Sequence, residues 1–353
     1  MNSLIDNTIL NFKDHTGAIP TNIIYNPGNN NMYTVNYGSN SVSVIDSSSN
    51  NVIKTIDVGI YPNAIAYYPR NYDVYVCNLD SGFVSVIDSS SNTVIKTIDV
   101  GNPFNISCQI SDIYVCNNNS PSLSIIEGSS NTVIKSIDVG EVPYAMVSKS
   151  SNLYVGSYGS NSVSVIDNSN NIIKTIDVGS NPLSIVYNLY NKNIYVTNGG
   201  SSSVSVIDSS SNTVIENITV GSKPVGIVYN QFNNVLYVVN TDSNSVSVID
   251  SSSNTVIKTI TVVDSSGNIL YNPNNYNIYV INENSNSVSV IDSSSNTVIK
   301  IIPVGSGPYG IAYNQFNNNM YVTNRGSNSV SVIDSSSNTV IKTIPIVDSL
   351  VKS

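Results

Sequence analysis

Large and small positions alternate in short bursts along this chain. In Ser41-Val42-Ser43-Val44-Ile45-Asp46 the valines fall on one face of a period-two segment and the serines on the other. The string Ser-Val-Ser-Val-Ile-Asp ends again at Asp167, Asp208, Asp250, Asp292 and Asp334. A close variant ends at Asp88 and a more distant one at Glu127, so that consecutive spacings are 42, 39, 40, 41, 42, 42 and 42 residues. Each copy is followed by a form of Ser-Ser-Ser-Asn-Thr-Val-Ile-Lys-Thr-Ile. Each is preceded by a segment led by Tyr33, Tyr75, Tyr114, Tyr154, Tyr195, Tyr237, Tyr279 or Tyr321. Eight units therefore account for nearly the whole chain.

The second unit predicts four strands, at 62–67, 73–78, 83–88 and 93–100. All are short, rich in β-branched and aromatic residues, and bounded by Asn, Gly, Ser and Asp clusters. No segment carries a helical period. Four strands every ~40–45 residues is the arithmetic of a propeller blade. The expected fold is all-β, a β-propeller of eight four-stranded blades over 18–347, with a seven-bladed ring as the alternative. Residues 1–17 form an N-terminal extension and 348–353 a C-terminal tail. Within the extension, 3–10 resembles a shortened Val-Ile-Asp to Asn-Thr-Val-Ile segment and is a candidate ring-closing strand. The last unit, however, already has a fourth strand at 339–345.

The serine face fits either a half-exposed strand or one packed on the next blade. The Asp-Ser-Ser-Ser-Asn segments read as tight hairpin loops, in which Asp and Asn bond nearby backbone and tolerate left-handed conformations. Asp46, Ser48 and Asn50 lack the further carboxylates of a usual calcium site. Lys54, Lys96, Lys135, Lys174, Lys258, Lys300 and Lys342 occupy one position of the fourth strand, where Glu216 stands in the fifth unit. Charge there suits an exposed outer edge, as do Pro303 and Pro345 in the same strand.

Composition narrows the function classes. Charged residues are 10% of the chain, against about 25% in an average domain, and 14 basic and 23 acidic residues leave a net charge of -9. A basic nucleic-acid face is not expected. No apolar run nears the roughly 20 residues of a membrane helix, so no membrane insertion is expected, and no signal peptide is visible. One histidine, His15, leaves few routes to general-base catalysis, and it reads as a solvent-facing residue near the ring closure.

Tyr195-Val196-Thr197-Asn198 and Tyr321-Val322-Thr323-Asn324 carry the YVTN signature, and the Pro-Xaa-Xaa-Ile-Xaa-Tyr lead-in and Val-Ile-Asp segment accompany it. The chain resembles the YVTN β-propeller repeat family, including the propeller domains of archaeal surface-layer proteins, over roughly residues 18 to 347. That resemblance implies a propeller and an exterior recognition or adhesion module. The wider propeller group also includes lactonases, lyases and redox enzymes, and fold does not give function.

In such a ring the loops between blades and those joining strands two and three share one face. Departures from the repeat there are Tyr37, Tyr61, Asp80, Phe104, Tyr144, Tyr158, Asp242, Glu283, Tyr309 and Arg325. Aromatics and a few charges around a central opening suit a glycan or a protein loop; covering of the blade ends is the plainer use of the same residues. The second residue after the proline of strand one is Asn22, Ala64, Asn105, Ala145, Ser184, Gly226, Asn268 or Gly310, always small and uncharged. No catalytic constellation is visible there, and no cofactor or metal is expected.

Cys77 and Cys116 take the Thr position of the tyrosine-led strand in neighbouring units, and Cys108 and Cys116 lie on adjacent strands, either as a disulfide or as buried thiols. Asn105, Asn118 and Asn217 head glycosylation acceptor triplets. The expected function is non-catalytic recognition of a protein or glycan on an exterior surface, cellular or viral. A lactonase-like or lyase-like enzyme using Asp80, Asp242 or Glu283 is the alternative, and an intracellular interaction platform a third reading.

Overall fold

The computed structural model describes residues 17–109, 111–149, 152–265 and 267–347. The N-terminal segment 1–16, including His15 and the candidate closing strand, and the tail 348–353 lie outside the described residues. The protein is an all-β propeller of eight four-stranded antiparallel blades, spanning 20–57, 62–99, 103–138, 143–177, 182–219, 224–261, 269–303 and 308–345. In each sheet the strands follow chain order from one to four. Blade two consists of Pro62–Tyr67, Val74–Asn78, Phe83–Asp88 and Thr93–Asp99, so its second strand starts one residue later than expected and its fourth ends one earlier. Asp73 and Val100 leave the ladder because they enter the adjoining turns; Tyr68 N bonds Asp73 O at 2.8 Å and Val100 N bonds Gly82 O at 3.1 Å. No helix is long and apolar enough to cross a membrane among the described residues.

Strands two and three are buried on both faces. Val42 and Val44 are sealed at the interface with blade two, against Val74, Val76 and Ile87. The serine face is equally dry, with Ser41 and Ser43 buried, so the strand is packed and not half-exposed; it is the valine face, however, that meets the next blade, while the equivalent Ser124 and Ser164 bond Val100 O and Val139 O on the preceding side. A buried hydroxyl without a partner costs roughly 1–3 kcal/mol. The last residue of the tyrosine-led strand offsets that cost, because Asn36 Nδ2 reaches Ser41 Oγ at 3.0 Å and Ser43 Oγ at 2.9 Å. Asn117, Asn198, Asn240 and Asn324 do the same in their own blades.

The tyrosine of the signature has a different partner. Its ring is buried, and its hydroxyl donates to the left-handed Asn of the turn between strands three and four of the next blade. Tyr33 reaches Asn92 at 2.6 Å, Tyr195 reaches Asn254 at 2.7 Å and Tyr237 reaches Asn296 at 2.6 Å. The same bond recurs at all eight interfaces. It closes the ring as well, since Tyr321 of blade eight donates to Asn50 of blade one at 2.5 Å. Asn317 Nδ2 to Ser47 O at 2.8 Å and a shared core of Ile23, Met32 and Ile45 with Tyr321, Val330 and Val332 complete that junction.

Fourth strands line the rim, as the lysines and prolines implied. Lys96 donates to Ser130 O at 3.0 Å and Lys342 to Ser49 O at 3.0 Å, so these side chains also tie one rim strand to the next blade's turn. Small residues let the inner strands approach: a Cβ on Gly310 would lie 2.3 Å from Thr21 O. Asn63 and Asn105 donate to the next blade's Phe104 O and Tyr144 O at 2.6 and 2.7 Å, and Thr197 does the same to Val225 O at 2.8 Å.

Candidate functional site

The loops between blades and the loops joining strands two and three do meet on one face. Tyr37 N bonds Ile19 O at 3.0 Å, Leu79 N bonds Tyr61 O at 3.1 Å, Tyr158 N bonds Val142 O at 2.9 Å and Arg325 N bonds Gly307 O at 2.9 Å. This lattice of backbone bonds fixes where the side chains of the mouth project.

Blades one and two present Tyr37 and Tyr61 as a stacked pair, with ring centroids 4.6 Å apart and planes 10° from parallel. Burial, with Tyr61 and Asp80 close by, pushes the Tyr37 phenol up to about 12. Blades three and four present Phe104 and Tyr144, with centroids 5.3 Å apart. Tyr158 lies near enough to add to the upward shift that burial imposes on Tyr144. Blade eight presents Tyr309 with Arg325 Cζ 4.8 Å above its ring. Burial raises the Tyr309 phenol, and Tyr144 contributes to the shift although the two belong to opposite blades of the ring.

The charges are distributed differently. Arg325, 9% exposed, forms an ion pair with Glu283 of the preceding blade. Burial lowers its guanidinium to about 10, still far above neutrality, so it stays charged. Asp242 pairs with Lys223 at 3.8 Å, and both are exposed, which makes the contact worth little. Asp242 and Glu283, the adjacent carboxylates of the enzyme reading, are each paired with a cation. Asp80 stands in blade two, beside Tyr37. The structure therefore brings together Tyr37, Tyr61 and Asp80 in one group, Phe104, Tyr144 and Tyr158 in a second, and Tyr309, Arg325 and Glu283 in a third. Asp242 joins none of them.

Backbone strain marks the same rim. The residue before the proline of strand one is left-handed in Ile19 (φ 50°), Tyr61 (φ 53°), Val142 (φ 54°), Asn181 (φ 57°), Lys223 (φ 53°) and Gly307 (φ 62°). Glycine and asparagine accept this conformation readily, whereas larger side chains pay roughly 1–2 kcal/mol. Blades one, two and four keep Ile, Tyr and Val there and set their side chains at the mouth.

Register settles the cysteines. Cys108 lies opposite Ile113 and Cys116 opposite Asn105, so the two are out of step for a disulfide and all three cysteines are free. Burial pushes each thiol up, away from nucleophilic reactivity. Asn105 uses its amide on Tyr144 O, and Asn217 Oδ1 accepts from Ser205 Oγ at 2.7 Å.

Sequence reasoning missed the large apolar side chains of the opposite face. Leu189 (54% exposed), Tyr190 (67%), Phe232 (61%) and Phe316 (58%) sit in the turns between strands one and two, and Phe232 stacks on Tyr276 at 4.2 Å. The available signal was a large apolar residue inside an Asn-rich turn. Asn188, Asn230 and Asn314 accept from the backbone N–H two residues on and hold each turn, which leaves that next-but-one side chain outside.

The fold and the repeat meet in a family model of YNCE-like beta-propellers, which matches residues 169–351, just over half of the chain. The chain belongs to the YNCE-like beta-propeller family. This YNCE-like propeller matches none of the curated proteins. Similar solved structures include dihydro-heme d1 dehydrogenase NirN in complex with DHE, at 12% identity and TM-score 0.77, covering 95% of this chain and 75% of that one. Hydrazine synthase from Kuenenia stuttgartiensis is similar at 21% identity and TM-score 0.63, covering 92% and 98%. Apo AztD from Citrobacter koseri is similar at 13% identity and TM-score 0.68, covering 87% and 92%. At these identities the likeness carries the fold only.

Proposed function

We propose that this YNCE-like propeller is a non-catalytic recognition module on an exterior surface and that its aromatic mouth binds a glycan. The placement of Tyr37, Tyr61, Phe104, Tyr144, Tyr158 and Tyr309 in neighbouring groups on one loop face carries the reading. Rings with a phenol at the edge offer an apolar face to a sugar ring and a hydrogen bond to its hydroxyls. The surrounding Ser and Asn side chains supply neutral donors and acceptors. The left-handed Tyr61 supports it further, because backbone strain kept at a rim is the expected cost of a fixed binding side chain. The YVTN resemblance to surface-layer propellers supports the exterior setting. Nothing specific favours the enzyme reading, given that Glu283 is held by Arg325 and Asp242 joins none of the groups at the mouth.

A glycan array probed with purified wild-type protein and with Tyr37→Ala, Tyr144→Ala and Tyr158→Ala tests the proposal. Saturable glycan binding, weakened at least tenfold in each variant, is the expected result. Binding unaffected by all three substitutions would refute the site. Retention of protein partners, with no glycan bound, would transfer the mouth to a protein ligand.

A further inference from the structure

The eight blades act as internal controls for one another, and blade four departs from them at one place. Where the other blades end the tyrosine-led strand in Asn, blade four has Ser157, preceded by Gly156. Ser157 is too short to reach across the strand pair. Its hydroxyl donates instead to Val139 O at 2.7 Å, and Ser164 donates to the same carbonyl at 3.0 Å. Ser162 loses the amide that its counterparts Ser41, Ser122, Ser203, Ser245 and Ser329 receive from Asn. It is 4% exposed, and its hydroxyl makes no hydrogen bond among the described residues. A cavity of about 350 Å³ opens at this point, lined by Ser160, Ser162, Ser164, Thr175, Asp138 and Asp177.

The carboxylates flank the cavity from two blades. Asp177 pairs in register with Ser162, and Asp138 ends the outer strand of blade three. Blades two and three are flanked by equivalent pairs, Asp57 with Asp99 and Asp99 with Asp138, but there Asn78 and Asn117 fill the space. Only blade four combines two flanking carboxylates with the missing amide.

We propose that this notch binds a calcium ion. Two carboxylates balance its charge, hydroxyl oxygens including the unpartnered Ser162 add neutral ligands, and the cavity has room for several waters at about 30 Å³ each. A hard, oxygen-ligated cation that tolerates irregular geometry suits such a set, and magnesium, which demands a near-ideal octahedron, suits it less. With two carboxylates on an open cavity, half-saturation is expected at about 0.1–1 mM, the range of weak extracellular calcium modules.

The test is calorimetric titration of chelator-treated full-length protein with calcium chloride, with the thermal midpoint followed in parallel. One weak site and a calcium-dependent rise of the midpoint are expected. Asp138→Asn and Asp177→Asn should each weaken binding at least tenfold. Ser157→Asn rebuilds the arrangement of the other blades. It should abolish the response to calcium while raising the midpoint of the calcium-free protein. Absence of a saturable response in the wild type would overturn the proposal, as would a response that survives all three substitutions.

Discussion

The YVTN signature is explained residue by residue. Tyr bonds the next blade's turn, Val fills the interface, Thr bridges to a neighbouring inner strand in blades five and eight, and Asn satisfies the buried serines. Each of these polar atoms is buried, so its loss costs more than an exposed bond would. A double-mutant cycle on Tyr195→Phe and Asn254→Gly, followed by urea unfolding, should give a coupling of about 1 kcal/mol. The site makes a second prediction at this scale. In Tyr61→Gly, relief of a left-handed side chain, about 1–2 kcal/mol, offsets a lost aromatic stack, about 0.5–1.5 kcal/mol. Stability should stay within about 1 kcal/mol of wild type by urea unfolding while glycan binding is lost. These partnerships were illegible in the sequence because the Tyr–Asn pairs lie 56 to 59 residues apart in most blades, longer than one repeat, and no period along the strand points to them.

At the scale of elements, the four strands of the second unit and their order were legible within one residue, because turn residues recur at fixed offsets from the alternating segments. The hairpin turns were legible too. Asp208 accepts from Ser210 N at 2.7 Å, and hydrogen bonds from the turn, led by that backbone N–H, hold its carboxyl below the ordinary range. Asp46, Asp88, Asp292 and Asp334 are lowered for the same kind of reason. A depressed carboxyl contributes stability above its unfolded value and loses it as pH falls through the folded one. Urea unfolding of Asp208→Asn should therefore show its largest deficit against wild type at neutral pH, closing as the pH enters the acid range. The exposed turn aromatics were less legible, since the same Asx geometry admits any residue at the position that Phe232 occupies.

The whole molecule closes on itself by packing blade eight against blade one, with the same Tyr–Asn bond as every internal interface. Asn50→Gly, at the junction, should thus cost the same as Asn254→Gly within about 0.5 kcal/mol by urea unfolding. The buried phenols set an alkaline limit. Burial pushes Tyr114 and Tyr237 up to about 12. For such a group stability is intact below the unfolded value near 10 and is lost as pH rises through the folded one. The site was legible as a face and as a set of aromatics. Its grouping into clusters was not, because it depends on how the loops of neighbouring blades lean together, which no spacing along the chain records. The most direct test compares glycan-array binding by wild type, Tyr144→Ala at the mouth and Phe232→Ala on the opposite face. Loss of at least tenfold in Tyr144→Ala with Phe232→Ala unchanged is the predicted result, and loss in Phe232→Ala with Tyr144→Ala unchanged would contradict it.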